Sequence, residues 1–258
     1  MVGMKSWSWR RRLWFLLVAS GVFIVVGAFS WLEFKPAPSC FDGEQNQTES
    51  GIDCGGSCAR VCLSEVESIQ ELWTRILPLG NNFYSVATLL KNPNLEYGAK
   101  TLSYRLKLFD DKNLLVSTER GQVFINPQES LVIFHGRLNF GGRRPVRAIF
   151  AIDGPPVWQQ LAISPPTVSI FSRGLILDSQ YQLSALITNE SLGDLNNLEV
   201  AVVLANQEQN ALAVSTTFIE HLPAGQTKEV VFTWPKDSLT EPVAFIDFYP
   251  HFQWAFGR

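Results

Sequence analysis

An uncharged apolar run near the N-terminus constrains this chain more than any other feature. Residues 13–32 read LWFLLVASGVFIVVGAFSWL and contain no Asp, Glu, Lys or Arg. A helix of this length, at ~1.5 Å per residue, matches the ~30 Å hydrocarbon core of a bilayer. The run therefore predicts a transmembrane helix over residues 13–32, preceded by a basic tail over residues 1–12.

The charges that flank this run predict its orientation. Lys5 and Arg10-Arg11-Arg12 precede it, whereas only Glu33 and Lys35 follow closely. Cations beside a span stay on the cytoplasmic side, so we expect a single-pass protein of the cell membrane with a cytoplasmic N-terminus and an extracytoplasmic body. A cleaved signal peptide is the alternative, because Ala28-Phe29-Ser30 offers a small-x-small cleavage site. A retained anchor is favoured, because the run exceeds the ~7–15 apolar residues of a usual signal peptide.

The composition of the remaining chain predicts a folded and net-acidic body. With 46% apolar and 17% charged residues, the chain can bury a core. Four of its 21 Lys and Arg residues lie in the first twelve residues. The rest of the chain therefore has fewer Lys and Arg residues than its 24 Asp and Glu residues, and its net charge is negative. Binding to nucleic acid needs clustered Lys and Arg, so we expect no nucleic-acid partner.

All four cysteines lie in one short polar stretch after the apolar run. They are Cys40, Cys54, Cys58 and Cys62. In an oxidising compartment an even number of clustered cysteines predicts two disulfides, here stapling a cysteine-rich stalk over residues 33–64. Three pairings are open, and the sequence does not choose among them. A four-thiolate zinc site is the alternative.

The same stretch carries oxygen ligands at short spacing. Asp42, Asn46, Glu49 and Asp53 could wrap a hard cation, so a structural calcium ion is the one cofactor that the sequence suggests. The segment departs from an EF-hand loop, because Gln47 stands where the sharp-turn glycine belongs. The alternative is a solvated polar loop.

The cysteine spacing also carries a resemblance. The pattern C-x-D-G-x-x-N-x-x-E-x-G-x-D-C-G-G-x-C, from Cys40 to Cys58, resembles a cysteine-rich motif of exported and surface-anchored bacterial proteins. The resemblance implies a location outside the cytoplasm and no particular chemistry.

After Cys62 the chain alternates apolar and polar residues with a period of two. Tyr104, Leu106 and Leu108 share one face, with Arg105 and Lys107 opposite. Val200, Val202 and Leu204 later repeat the apolar spacing, which is typical of strands with one buried face. We predict a mainly β fold, with two Ig-like antiparallel β-sandwiches after one N-terminal transmembrane α-helix.

The chain also repeats itself. Residues 84–92 match residues 181–189 at an offset of 97, and weaker matches follow in the same order. These are Phe124-Ile125 with Phe218-Ile219, and Phe134 with Phe232. Proline-rich segments at 153–156 and 164–166 suggest a stiff connection between the copies. We therefore predict a first sandwich over residues 65–160 and a second over residues 161–258.

Each copy resembles a known kind of exported β-sandwich. The first, with Asn92-Pro93-Asn94 and Leu108-Phe109-Asp110-Asp111, resembles FxLYD-type domains. The second, with LPAGQTKEVVFTW at 222–234, is similar to adhesion-related CARDB domains. Both resemblances imply a binding or structural role, and neither brings catalytic residues.

Patterns typical of enzymes are missing from the sequence. His135, His221 and His251 are isolated, and no metalloprotease, hydrolase-elbow or nucleotide-loop motif occurs. The segment 141–145 (GGRRP) predicts a turn whose arginines could meet a carboxylate or a lipid headgroup. The aromatic stretch 245–256 predicts a last core strand or, if exposed, a protein-binding patch.

We therefore expect a non-enzymatic interaction or structural protein, serving adhesion or envelope assembly beside another envelope or surface protein. An accessory subunit that docks a membrane enzyme or transporter is the alternative. A hydrolase would instead show a deep polar pocket at the junction of the two domains.

Overall fold

The computed structural model describes residues 4–33, 38–161, 165–178 and 180–253. The chain forms two compact units, Met1–Cys58 and Ala59–Arg258, which are described separately. One N-terminal helix is followed by antiparallel sheets, so the predicted mainly β fold is confirmed.

The first unit begins with a long apolar helix, α1, over Met4–Glu33. Its segment Trp9–Ser30 is long and apolar enough to cross a membrane, and its side chains are not buried. A helix that is apolar all round suits a lipid environment rather than one face of a soluble core. Length and composition therefore fit the predicted anchor, and they fit a signal sequence equally.

The second unit is built from antiparallel strands. They are β1 Gln70–Gly80, β2 Phe83–Lys91, β3 Tyr97–Phe109, β4 Leu115–Ile125, β5 Ser130–Asn139, β6 Arg147–Ile152, β7 Val157–Gln160, β8 Val168–Leu177, β9 Tyr181–Asn189, β10 Leu195–Ala205, β11 Ala211–Leu222, β12 Thr227–Trp234 and β13 Phe245–His251. Short 3₁₀ turns lie at Leu63–Glu65 and Lys236–Ser238.

These strands form four sheets, two in each half of the unit. In the first half, β1-β2-β5 faces β4-β3-β6, with β7 beside β3; in the second half, β12-β9-β8 faces β11-β10-β13. Each pair encloses its own apolar core, around Leu106 in the first sandwich and Val202 in the second. No sheet mixes strands from the two halves. The domain limits, 65–160 and 161–258, stay a prediction.

The two sandwiches have the same strand order, so their positions can be matched. The turn after β3 begins at Asp110, whose Oδ1 accepts a hydrogen bond from the Leu114 N–H. The turn after β10 begins at Asn206, whose Oδ1 accepts the corresponding bond from the Asn210 N–H. Asp110 and Asn206 are therefore equivalent, and β3 matches β10 residue by residue back from these turns.

A buried asparagine closes the same corner in both copies. Asn92 directly follows β2 and Asn189 ends β9, and both are fully buried. Each side-chain amide donates to two backbone carbonyls: Tyr97 and Asn126 around Asn92, and Gly193 and Leu222 around Asn189. Each amide thus satisfies buried carbonyls where the ladders end.

One predicted match within the repeat is wrong. Phe134 lies opposite Ala87 and faces outward, whereas Phe232 lies opposite Leu183 and is buried in the second core. A shift of one residue in a strand moves a side chain to the other face of the sheet. The counterpart of Phe134 is Val231, which pairs with Ser184.

A third apolar cluster joins the two sandwiches. The buried residues at its centre come from both halves: Leu77, Ala87, Leu89, Val132, Ala201, Val203 and Val214. The central strands β2 and β10 are consequently buried on both faces. The nearly continuous apolar run at 86–90, interrupted by Thr88, and the continuous run at 200–205 are the signal for such strands. Alternation of apolar and polar residues marks one buried face only, so it does not predict this packing.

A polar link lies beside this cluster. His251 Nδ1 lies 2.7 Å from Glu129 Oε1, and both side chains are largely buried. Asn126 Nδ2 donates to the Phe252 carbonyl at 3.2 Å. The last strand of the second sandwich is thus tied to the β4–β5 turn of the first.

Candidate functional site

The cysteine-rich segment is oxidised, as predicted. Cys40 and Cys58 form a disulfide, and Cys54 and Cys62 are disulfide-bonded as well. No described cysteine is free. A zinc site needs thiolates, so the zinc alternative has no ligands in this oxidised form.

The predicted calcium ligand Asp42 instead organises its own loop. Its carboxylate accepts hydrogen bonds from the backbone N–H groups of Ser39 and Glu44 and from the Asn46 side chain. These bonds, led by the one from Ser39, hold the pKa of Asp42 below its ordinary value. Asp42 therefore caps the turn at the start of the loop as a carboxylate.

The other predicted ligands are divided between separate contacts. Asp53 accepts from the Gly43 N–H at 3.0 Å, and Glu49 Oε2 accepts from the Asn46 N–H at 3.2 Å. Asn46 Oδ1 is buried and has no hydrogen-bond donor among the described residues.

Ligand atoms of His, Cys, Asp or Glu converge elsewhere in the segment. Among the described residues, Cys40, Glu49 and Cys58 form the group whose ligand atoms lie within 4.8 Å of one another. Two of these three sulfur and oxygen ligands belong to the disulfide. Calcium binding by Asp42, Asn46, Glu49 and Asp53 stays a prediction.

The second unit contains a cleft where the two sandwiches meet. The β1–β2 turn forms one wall, with Asn81 and Asn82 at φ 50° and 62°. Two successive left-handed residues make the tight turn that suits a two-residue hairpin, for which Asn is a favoured residue. The ends of β5 and β12 form the other walls, so the cleft lies between elements that their sheets hold in place.

The cleft has a volume of about 610 Å³, within the ~300–1,000 Å³ of ordinary ligand sites. Its lining combines aromatic, amide, hydroxyl and cationic side chains: Asn81, Phe83, Phe134, Arg137, Gln180, Ser215, Thr233, Trp234 and Lys236, with Leu79, Gly80, Gly136, Val214 and Pro235. Phe134, Thr233 and Trp234 belong to patterns that stand out in the sequence, whereas Asn81, Arg137, Gln180, Ser215 and Lys236 do not.

The charge of this lining has one sign. Arg137 and Lys236 are its charged residues, and the Arg137 guanidinium lies 5.7 Å from the centre of the Phe83 ring. The indole N–H of Trp234 is buried and has no acceptor among the described residues. A buried donor without an acceptor costs ~1–3 kcal/mol. Trp234 is 2% exposed, so its indole belongs mainly to the second core.

This chemistry suits binding. The described lining holds no carboxylate, histidine or cysteine, which are the usual general acids, bases and nucleophiles. The expectation of a non-enzymatic protein stays a prediction. The lining combines two cations with aromatic side chains, a composition that suits an anionic group.

The histidines each have separate partners. His135 bonds with the Tyr104 hydroxyl at 3.1 Å, and burial lowers its pKa. His221 lies beside Asn196, and His251 pairs with Glu129. Each histidine thus has a partner of its own.

The aromatic C-terminal stretch is divided between core and surface. Phe252 is buried in the second core, and Phe245 is 43% exposed. The predicted patch needed Phe252, Trp254 and Phe256 to be exposed, and for Phe252 that prediction is wrong. Trp254 and Phe256 lie outside the described residues.

Comparisons with known proteins give no assignment. No family model matches the chain, and no curated protein is similar to it. The tandem CBM22 domain at the N-terminus of Xyn10C from Paenibacillus barcinonensis is 8% identical, covers 73% of this chain and 86% of its own, and has a TM-score of 0.16. The 7S globulin of Momordica charantia is 8% identical, over 68% and 81% of the two chains, with a TM-score of 0.13.

Scores this low carry no argument about fold or function. The resemblances to FxLYD-type and CARDB domains and to the cysteine-rich motif stay predictions.

Proposed function

We propose that this chain is a membrane-anchored, extracytoplasmic, non-enzymatic binding protein. Its junction cleft holds an anionic segment of another envelope or surface protein. The observation that carries the proposal is the one-sided chemistry of the cleft, where Arg137 and Lys236 stand beside aromatic walls without a carboxylate in the described lining.

The packing of the two sandwiches supports a preformed site. Residues of the buried interface, Phe134 and Val214, also line the cleft. A site held by packed sheets loses little conformational freedom when a ligand enters, which favours affinity. The apolar helix and the oxidised cysteine-rich segment support the location, because disulfides persist outside the cytoplasm.

A photocrosslinking experiment tests the proposal. Two variants of the full chain are produced in the source cells. One carries a benzophenone amino acid at Asn81 in the cleft, and the other carries it at Phe171, which is 68% exposed on β8. We expect a specific adduct from position 81 and none from position 171. A membrane enzyme or transporter in the adduct would make the chain an accessory subunit, and an adhesion or envelope protein would make it a structural partner.

Charge reversal supplies the control. Lys236→Glu should abolish the adduct, because it places an anion in the cleft, whereas Lys228→Glu, on exposed β12, should leave it intact. Equal adducts from positions 81 and 171, or an adduct that Lys236→Glu does not weaken, would overturn the proposal.

A further inference from the structure

One end of the first sandwich combines three exposed cations and one half-buried cation, Lys107, with exposed apolar side chains. The turn after β3 meets the β5–β6 loop there, at the outward edge of the sheet β4-β3-β6. We name this end the basic tip and define it by eight residues: Lys107, Lys112, Leu114, Leu115, Arg144, Val146, Arg147 and Ile149. Leu114, Leu115, Val146 and Ile149 are 58%, 49%, 50% and 41% exposed.

The sheet register places the strand residues of the basic tip on one face. Lys107 lies opposite Ile149, and Phe109 lies opposite Arg147. Lys107 and Phe109 alternate with buried core residues, so they face outward. The Arg147 guanidinium lies 4.7 Å from the centre of the Phe109 ring.

The cations of the basic tip carry unneutralised charge. Among the described residues, Lys107, Lys112, Arg144 and Arg147 form no ion pair with a carboxylate. Asp111 is the exposed carboxylate in the same turn. The tip is therefore locally basic on a chain whose body is acidic overall.

Hydrogen bonds hold the two loops of the tip together. Arg143 Nη2 lies 2.6 Å from Asp110 Oδ2, and its Nη1 donates to the Leu115 carbonyl. Asp110 Oδ1 accepts from the N–H groups of Lys112 and Leu114. Arg143 is thus a structural cross-link, and Arg144 is left facing solvent.

We infer that the basic tip docks on the anionic lipid headgroups of the membrane that holds the chain. The cations provide charge complementarity to headgroup phosphates, and exposed leucine and valine side chains suit the boundary between headgroups and acyl chains. A soluble polyanion would engage the cations alone and gives no reason for the apolar members. The candidate span in the same chain raises the local concentration of lipid around the tip.

The basic tip is particular to the first copy. The matching positions of the second copy are Val203, Glu208, Asn210 and Asp247 in place of Lys107, Lys112, Leu114 and Ile149. The shared fold therefore does not require cations or exposed leucine at this end. None of the eight residues lines the cleft, so the inference does not depend on the proposed cleft, but it rests on the proposed membrane anchor.

Hydrogen exchange on the full chain in lipid nanodiscs tests the inference. The probe is phosphatidylglycerol, compared with phosphatidylcholine, and the readout is amide exchange in residues 110–117 and 141–149. Each cation near an anionic surface strengthens association about fivefold, so we expect exchange in both segments to slow about fivefold or more with phosphatidylglycerol. High salt should remove the difference, because the Debye length falls to ~3 Å at 1 M.

Matched variants separate docking from general effects. Arg144→Glu and Leu114→Ser should each reduce the slowing of exchange. Arg144→Glu changes the charge by two units, so it should weaken association with the anionic surface by roughly 25-fold. The controls are Lys228→Glu on β12 and Leu192→Ser, an exposed loop residue, which should leave it unchanged. Exchange in β2 and β9 verifies that each variant is folded.

Three outcomes would overturn the inference. The first is equal exchange in the two lipids, and the second is equal effects of Arg144→Glu and Lys228→Glu. The third is that inorganic polyphosphate, added to phosphatidylcholine nanodiscs, slows exchange in the tip while phosphatidylglycerol does not. The last outcome would assign the tip to a soluble polyanion.

Discussion

Matching faces of the two sandwiches have opposite chemistry. On β10 of the second sandwich, Ala201 and Val203 face outward and are buried against the first sandwich. The matching residues on β3 are Arg105 and Lys107, on a face that no other described sheet of the unit covers. The strand order, the turns and the corner asparagines are the same in both copies. The outward positions of the central strand therefore decide what each face can bind.

The loops at the end of these faces also differ: one set contacts the other sandwich, and the other set is open to solvent. In the first copy, Asp110 pairs with Arg143 across two loops. In the second copy, Asn206 takes that position and donates to Glu241, and its turn reaches the other sandwich, because Arg75 Nη2 donates to Asn210 Oδ1 at 2.9 Å. One end of the fold thus serves packing between copies, and its counterpart stays open with a basic surface.

Exchanging one residue between the two faces should have the largest effect. Val203→Lys places the side chain of Lys107 at a position that is 3% exposed. An unpaired buried charge should lower the free energy of unfolding by about 3–5 kcal/mol, measured by denaturant titration of the full chain in nonionic detergent.

The reverse exchange is the control. Lys107→Val lies on the open face, where a surface substitution should change the free energy of unfolding by less than about 0.5 kcal/mol. Equal losses for the two variants would contradict the assignment of one face to packing and the other to solvent.

Removing the corner asparagines should have an intermediate effect, equal in the two copies. Asn92→Ala and Asn189→Ala each leave buried carbonyls without a donor, at ~1–3 kcal/mol for each unsatisfied group. We expect each variant to lower the free energy of unfolding by about 2–4 kcal/mol. A large loss for one variant and none for the other would show that the two corners are not equivalent.

The smallest expected difference concerns acid. The hydrogen bond from Arg143, with those from the loop N–H groups, holds the pKa of Asp110 below its ordinary value of 3.8. The unfolded chain therefore takes up this proton first as pH falls, and stability is lost from about pH 5 down through the lowered folded pKa. Asp110→Asn should flatten this part of the pH profile of the unfolding midpoint. Asn206→Asp, which has no arginine partner, serves as the comparison.

The sequence predicts the strands because alternation marks buried faces, as at Tyr104, Leu106 and Leu108. It predicts the two-copy architecture because residues 84–92 and 181–189 end in the same capping asparagine. It does not predict how the copies pack. The only sign of that packing in β10 is that Ala201 and Val203 are apolar at positions where alternation would place polar residues. The register of Phe134 was misjudged for a related reason: a one-residue shift still aligns phenylalanine with phenylalanine.

The candidate sites are less visible in the sequence because they depend on residues far apart in the chain. Asn81, Arg137 and Lys236 come from three separate turns, and only the packing of the sheets brings them to one cleft. The predicted calcium ligands are close in sequence, yet local N–H groups compete for the same oxygens. Short spacing alone does not show which partner a carboxylate takes.

Pulsed hydrogen exchange along a urea titration of the full chain in nonionic detergent tests the central claim that the two sandwiches form one packed body. Peptides from 83–91 in the first sandwich and 195–205 in the second report the two central strands of the interface. Our account predicts a single shared midpoint in the parent chain, and earlier, separate midpoints in Val203→Lys. Two well-separated midpoints in the parent chain, unchanged by Val203→Lys, would contradict it.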